Sequence, residues 1–267
     1  MLGRLRGYAR EVVEDILRHV DHDDLTKPPV YRGLINEVFA DPDLPTILRD
    51  PLLRGMDKSI DLFLGEMQAR IELRAGMSVG VVCSGSGALT AQLIRVAPGV
   101  RVTNYDRSIS MCLAPNQAAS TVRADLATPC APHASHDLII CQGSLRYFAE
   151  VMPQLVTNLK HLAGPTGQLF LGEVDAGLIR VLADQVESSD CRVNLSTREG
   201  VVFRNTVLYL LLHRYRHDET FQRQVERARG DTQPFWQVLI AAAGVKVAPY
   251  YFCHASFLRA DSRVPQS

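Results

Sequence analysis

The sequence predicts an α/β fold built on a mostly parallel sheet, and three observations carry that prediction. Between residues 77 and 175, short apolar runs alternate with helix-prone stretches, the rhythm of parallel strands joined by crossover helices. The run Val79-Gly80-Val81-Val82 enters the glycine-bearing turn Cys83-Ser84-Gly85-Ser86-Gly87, which opens into the helix-prone Ala88–Ile94 segment. Strand, glycine turn and helix in that order let a backbone approach a nucleotide-like ligand, because glycine has no Cβ in the way. The next strand, 101–105, ends at Asp106. That places an acid about 20 residues past the turn, where it can accept from ribose hydroxyls.

Taken in order, the first 75 residues read as helical. Leu5, Tyr8, Val12, Val13, Ile16, Leu17 and Val20 recur at helical spacing, and Pro28-Pro29 breaks the pattern. Short helices are expected over 34–39 and 45–53. A longer one over 56–73 would bury Ile60, Leu62, Phe63, Met67 and Ile71. Strands are expected at 78–83, 101–105, 120–124, 136–142 and 167–173, with helices at 87–96, 108–114 and 149–163. The segment 136–142 is almost wholly apolar at its centre, as a strand covered on both faces requires. Residues 176–232 depart from the rhythm: a helix over 177–188, a polar link, then one long helix over 199–228. A helix at 233–243 and two strands, VKVAPYYF and HASFLRA, would close the sheet as an antiparallel hairpin. Two regions result, an N-terminal helical segment 1–75 suited to a lid or to oligomerisation, and an α/β domain 76–267 with a helical insertion at 176–232.

Composition excludes some function classes. A charged fraction of 22% with 29 basic and 29 acidic residues leaves no net charge, so no global attraction to nucleic acid or an anionic membrane is expected. Six dispersed cysteines without a CxxC pair suggest reduced thiols. The first twenty residues are broken by charges and lack an apolar signal-peptide core, and the strongly apolar run at 207–212 is too short to span a bilayer. A soluble, cytoplasmic protein is expected.

The turn VVCSGSGALTAQL, the NYDRS segment with Asp106, and RADLATPCAPHASHDLIICQGSLRYF together resemble the class I S-adenosylmethionine-dependent methyltransferases. The resemblance covers roughly 77–175 and extends through 233–260. It implies a Rossmann-like sheet, S-adenosylmethionine as cofactor, and methyl transfer to a small-molecule acceptor through oxygen, nitrogen or carbon. It further implies that Cys83, Ser84, Gly85, Ser86 and Gly87 line the methionine part of the cofactor. Asp106 would take the ribose hydroxyls, with Arg107 beside the adenine. Asp125 and Leu126 would meet the adenine amino group and ring, and Gln142 and Gly143 would flank the sulfonium. The family usually has an acid at the place of Val81 and a glycine at that of Cys83. These departures keep open a protein of this fold with a binding or regulatory role, and an RNA or protein methyltransferase is a further alternative.

Candidate bases are Tyr147 in GSLRYF, Glu173 at the end of the fifth strand, and His213. No metal site is expected. His133 and His136 read as a solvated loop, and His213 with His217 as a surface pair, chelation or base catalysis being the alternative. Arg204, Tyr209, Arg214, Tyr215 and Arg216 read as a solvated helix face rather than a nucleic-acid patch. The expected partner is a small-molecule substrate, with no nucleic acid and no membrane, and a homodimer is compatible with the helical N-terminus.

Overall fold

The computed structural model describes residues 36–56, 58–112, 119–129, 136–188, 190–203 and 205–257. The periodic segment 5–20, His133, Arg204 and the tail after 257 lie outside the described residues. Two compact units make up the chain. The unit of residues 60–200 with 248–267 holds most of the sheet, and the described residues of the unit 1–59 with 201–247 are mostly helical.

In the sheet unit, β1 (Ser78–Val82), β2 (Arg101–Asp106), β3 (Ser120–Arg123), β4 (Leu138–Gln142) and β5 (Gln168–Glu173) run parallel, and β7 (Val245–Phe257) pairs antiparallel with β5. With β6 (Cys191–Phe203) outermost, the order is β3-β2-β1-β4-β5-β7-β6. The central strands are runs of β-branched and apolar residues. Val79, Val81, Leu138, Ile139 and Ile140 are completely buried, as strands covered on both faces must be.

Alternation along β5 shows what covers each face. Leu169 and Leu171 join Ile139, Cys141, Leu155, Leu159 and Leu182 in the core beneath α6 (Met152–Ala163) and α7 (Ala176–Val186). Phe170 points the other way, edge-on to Phe63 of α3 (Ser59–Gln68) at 5.1 Å and stacked on Phe252 at 5.8 Å. Gly172 lies on that second face. A Cβ there would come within 2.5 Å of the Tyr250 ring and 2.8 Å of the Phe63 ring, so glycine is what lets these rings reach the sheet. On α4 (Ala88–Val96), buried Thr90 donates to Asn104 of β2 at 2.5 Å and fixes the helix on its strand.

In the helical unit, residues 36–40 form a helical turn, followed by α1 (Leu44–Arg49) and α2 (Pro51–Met56). Then, after β6, come α8 (Asn205–His217), α9 (Glu219–Arg229) and α10 (Phe235–Ala243). Tyr209 meets Phe39 edge-on, and Tyr215 stacks on Phe235 at 4.4 Å with the ring planes nearly parallel.

The structure corrects five expectations. The polar link after 188 is β6, an edge strand with a half-exposed Leu195. The long helix 199–228 is two helices, because Asp218 leaves helical geometry (φ −125°, ψ 103°) and its carboxylate accepts the Thr220 and Phe221 N–H groups. The closing hairpin is one continuous strand, β7. His136 is not solvated. Its Nδ1 lies 2.7 Å from Ser78 Oγ and its Nε2 2.8 Å from Tyr105 Oη, so a neutral ring bridges two strands, accepting at one nitrogen and donating at the other. Burial pushes its pKa down. Tyr209 and Tyr215 are likewise core residues rather than parts of a solvated face.

Candidate functional site

The strands β1, β2 and β3 progress to one side, and β4 then returns to pair with β1 on the other. The gap outside the carboxyl ends of β1 and β4 is therefore the point where the strand order reverses, and open α/β sheets bind ligands there. The polar groups around it are placed mainly by backbone geometry.

Residues 83–87 make the turn above β1. Cys83, Gly85 and Gly87 all have positive φ, at 53°, 52° and 78°. Nothing lies within 4 Å of where a Gly85 Cβ would stand, which leaves the turn open to a ligand. Ser84 N–H donates to the Tyr105 carbonyl at 3.2 Å, and Gly87 N–H donates to the Ser84 carbonyl at 3.0 Å. Cys83, at the first left-handed position, shares a thiol hydrogen bond with Cys141. That hydrogen bond and burial push the Cys83 thiol well above its ordinary pKa, which keeps it protonated and a poor nucleophile at neutral pH. Five cysteines of the described residues are free thiols.

Asp106 ends β2 with its carboxylate tied to both neighbouring loops. One oxygen accepts the Gly85 N–H and the other the Ser108 N–H, both at 2.9 Å. Each oxygen keeps a second lone pair for an incoming hydroxyl. Burial pushes its pKa up, against the pull of the two N–H donors and the Arg107 charge. Arg107 is partly buried, and its carbonyl accepts from Arg123. At the next strand end, Asp125 accepts the Ala127 N–H at 2.9 Å, while Leu126 is buried against the core. Asn158, reaching across from α6, donates to the Leu126 and Thr128 carbonyls at 2.8 and 2.9 Å. It is a buried residue that holds the acidic turn in shape. Sequence reasoning passed over it, although an Asn on the Leu155–Leu159–Leu162 face was its signal.

At the end of β4, Gln142 is followed by Gly143 at φ 65°, whose N–H donates to the Gly172 carbonyl at 2.8 Å. Fully buried Glu173 accepts the Leu145 N–H at 3.1 Å and the Val174 N–H at 2.8 Å, and it pairs with Arg146 at 3.4 Å. Its carboxylate thus fixes the segment after β4 as well as ending β5. Tyr147 is half-buried and packs against the main core. His213 belongs to the helical unit, where its Nε2 lies 3.1 Å from Glu37 Oε2. The sheet unit thus brings together the turn 83–87, Asp106, Arg107, Asp125, Leu126, Gln142, Gly143, Tyr147 and Glu173 along its carboxyl edge.

A seven-stranded sheet in this order, with its last strand antiparallel beside β5, has the fold of the class I S-adenosylmethionine-dependent methyltransferases. Over 81% of its length the chain superposes on 98% of a chain from the complex between the Haloferax volcanii Trm112 methyltransferase activator and its candidate methyltransferase, at TM-score 0.50 and 13% identity. The [4+2]-cyclase SpnF is similar over 74% of this chain and 81% of its own, at TM-score 0.49 and 14% identity. The YcgJ protein of Bacillus subtilis is similar over 75% of this chain and 100% of its own, at TM-score 0.48 and 12% identity. At these identities the likeness is one of fold. No protein-family model and no curated protein matches the sequence. Among the described residues, no helix is long and apolar enough to cross a membrane.

Proposed function

We propose that the sheet unit binds S-adenosylmethionine along its carboxyl edge and transfers the methyl group to a small organic acceptor. The observation that carries this reading is the Asp106 carboxylate, held by Gly85 and Ser108 at the end of β2, next to the strand at which the order reverses. The donor and acceptor set fits the cofactor. The open turn at Gly85 suits its methionine portion, Asp106 its two ribose hydroxyls, and Asp125 with Leu126 its adenine amino group and ring. When bound, the cofactor would supply an electrophilic methyl on a sulfonium, open to attack by an acceptor lone pair, with the carbon–sulfur electron pair leaving on S-adenosylhomocysteine.

The chain's own contribution would be placement and exclusion of water. Glu173 and Gly143 set the course of the backbone after β4, where Gln142 and Gly143 would flank the transferring methyl. Tyr147, half-buried on the same segment, is the candidate to take a proton from an acceptor hydroxyl or amine. The balanced charge of the chain favours a small acceptor over a polyanion.

A second reading, cofactor binding without methyl transfer, is favoured by Val81 and Cys83. Val81 is fully buried between Asn104 and Ile140, so the acid usual in the family is absent from that place. Titration calorimetry with S-adenosylmethionine and S-adenosylhomocysteine tests both readings at their root. Micromolar binding of both is expected, and no heat from either at millimolar ligand removes them together. Release of S-adenosylhomocysteine in the presence of small-molecule extracts then separates transfer from binding alone.

A further inference from the structure

The helical unit carries a constellation with no part in the proposed methyl-transfer chemistry. His213 and His217 stand one turn apart on α8, so both imidazoles lie on one face of the helix, with ring centroids 4.5 Å apart. The helical turn 36–40 brings Glu37 against them. Glu37 Oε2 lies 3.1 Å from His213 Nε2 and 3.6 Å from His217 Nε2. One ligating atom from each of the three falls within 4.8 Å of the others. An ion bound tetrahedrally at about 2.0–2.1 Å sets its ligands about 3.3–3.4 Å apart, and the two distances to Glu37 bracket that value.

The surrounding charges permit a cation. Both histidines lie in or near the last turn of α8, where the aligned peptide dipoles give the helix end a partial negative charge. The two arginines between them are already neutralised: Arg216 binds Asp41 and Asp43, and Arg214 pairs with Asp218 at 2.7 Å. The ligand side chains are between 37% and 60% exposed, so water has access to a fourth position.

We propose that Glu37, His213 and His217 form a binding site for a divalent transition-metal ion, Zn²⁺ foremost, with water completing the coordination. Two imidazoles and one carboxylate select a borderline-soft ion over Mg²⁺ or Ca²⁺, which prefer all-oxygen cages. Because Glu37 lies 176 residues before His213, the ion would clamp two distant segments of the helical unit together.

The test uses the full chain without a histidine tag. Zn²⁺ titrated calorimetrically should bind one per chain and raise the melting temperature by several degrees, whereas Mg²⁺ should do neither. Co²⁺ should give the visible absorption of a tetrahedral nitrogen–oxygen site without a thiolate charge-transfer band, which separates this site from the cysteines. The H213A/H217A variant should weaken Zn²⁺ binding by about 100-fold or more, since loss of outer-shell partners alone costs metal sites 10–100-fold. E37Q should weaken it less. Equal Zn²⁺ affinity in the wild type and both variants would overturn the proposal, as would an octahedral or thiolate Co²⁺ spectrum. The wild-type Co²⁺ spectrum decides the matter even should the double variant fail to fold.

Discussion

At the carboxyl edge of the sheet, the groups proposed to meet the cofactor are largely set by the backbone: the positive-φ turn at 83–87, and Asp106 pinned by two N–H donors. In the helical unit, the corresponding groups are three side chains presented by two helices, joined only when segments 176 residues apart meet. The first arrangement is rigid because its polar groups are already hydrogen-bonded to neighbouring loops. The second stays adaptable, because its ligands are exposed side chains that an ion can draw together. A site made from backbone turns is written in consecutive residues, whereas a site made from facing helices is written only in the tertiary fold.

The largest effect expected from breaking the backbone-made site comes at Asp106. Asp106→Ala should raise the dissociation constant for S-adenosylhomocysteine at least about 100-fold in calorimetry, since a buried acceptor of two hydroxyls and two N–H groups is lost. An unchanged affinity would remove the cofactor placement. Next in size, Gly172→Val should destabilise the sheet unit by about 3 kcal/mol in urea unfolding, by driving a side chain into the Tyr250 and Phe63 rings.

Asn158→Ala should cost about 1–3 kcal/mol, because the Leu126 and Thr128 carbonyls lose their shared donor. Its effect on S-adenosylhomocysteine affinity should be smaller than that of Asp106→Ala. The smallest effect is electrostatic. Burial pushes the pKa of His136 down, and that of His254 likewise, with the Arg70 charge adding to the second. The unfolded chain therefore takes up protons first as the pH falls below about 6.5. Their contribution to stability is complete above that pH and is lost progressively on acidification. His136→Asn should flatten the fall of melting temperature between pH 7 and 5, and an unchanged slope would mean that this ring is not held neutral.

The parallel strands and their helices were legible because each is a local pattern: a β-branched run, a glycine turn, an apolar helix stripe. The helix over 59–68 buries Phe63 and Met67 as the periodicity implied. β6 was illegible because an edge strand buries little. Its Cys191, Val193 and Leu195 alternate with polar residues, yet Leu195 stays half-exposed, so the pattern reads as polar link. The break at Asp218 was masked because no Gly or Pro marks it and helix-prone Arg214, Arg216, Glu219 and Gln222 flank it, so that one capping carboxylate decides it. In the candidate site, Asp106 and the glycine turn followed from spacing, but Asn158 did not, nor did Glu37 in the helical unit. Both act across the fold, on residues 32 and 176 positions away.

The strand order has a consequence for how the chain reaches its native state. β7 pairs with β5 from Gln168↔Ser256 to Glu173↔Tyr251, and β6 enters the sheet only beside β7. During synthesis, β5 therefore waits with an unpaired edge while α7, β6 and the helices α8 to α10 are made. This is a long-range closure that slows folding and exposes an adhesive edge meanwhile. A chain truncated before Val245 should accordingly lose the outer sheet and aggregate through β5, rather than form a smaller stable domain.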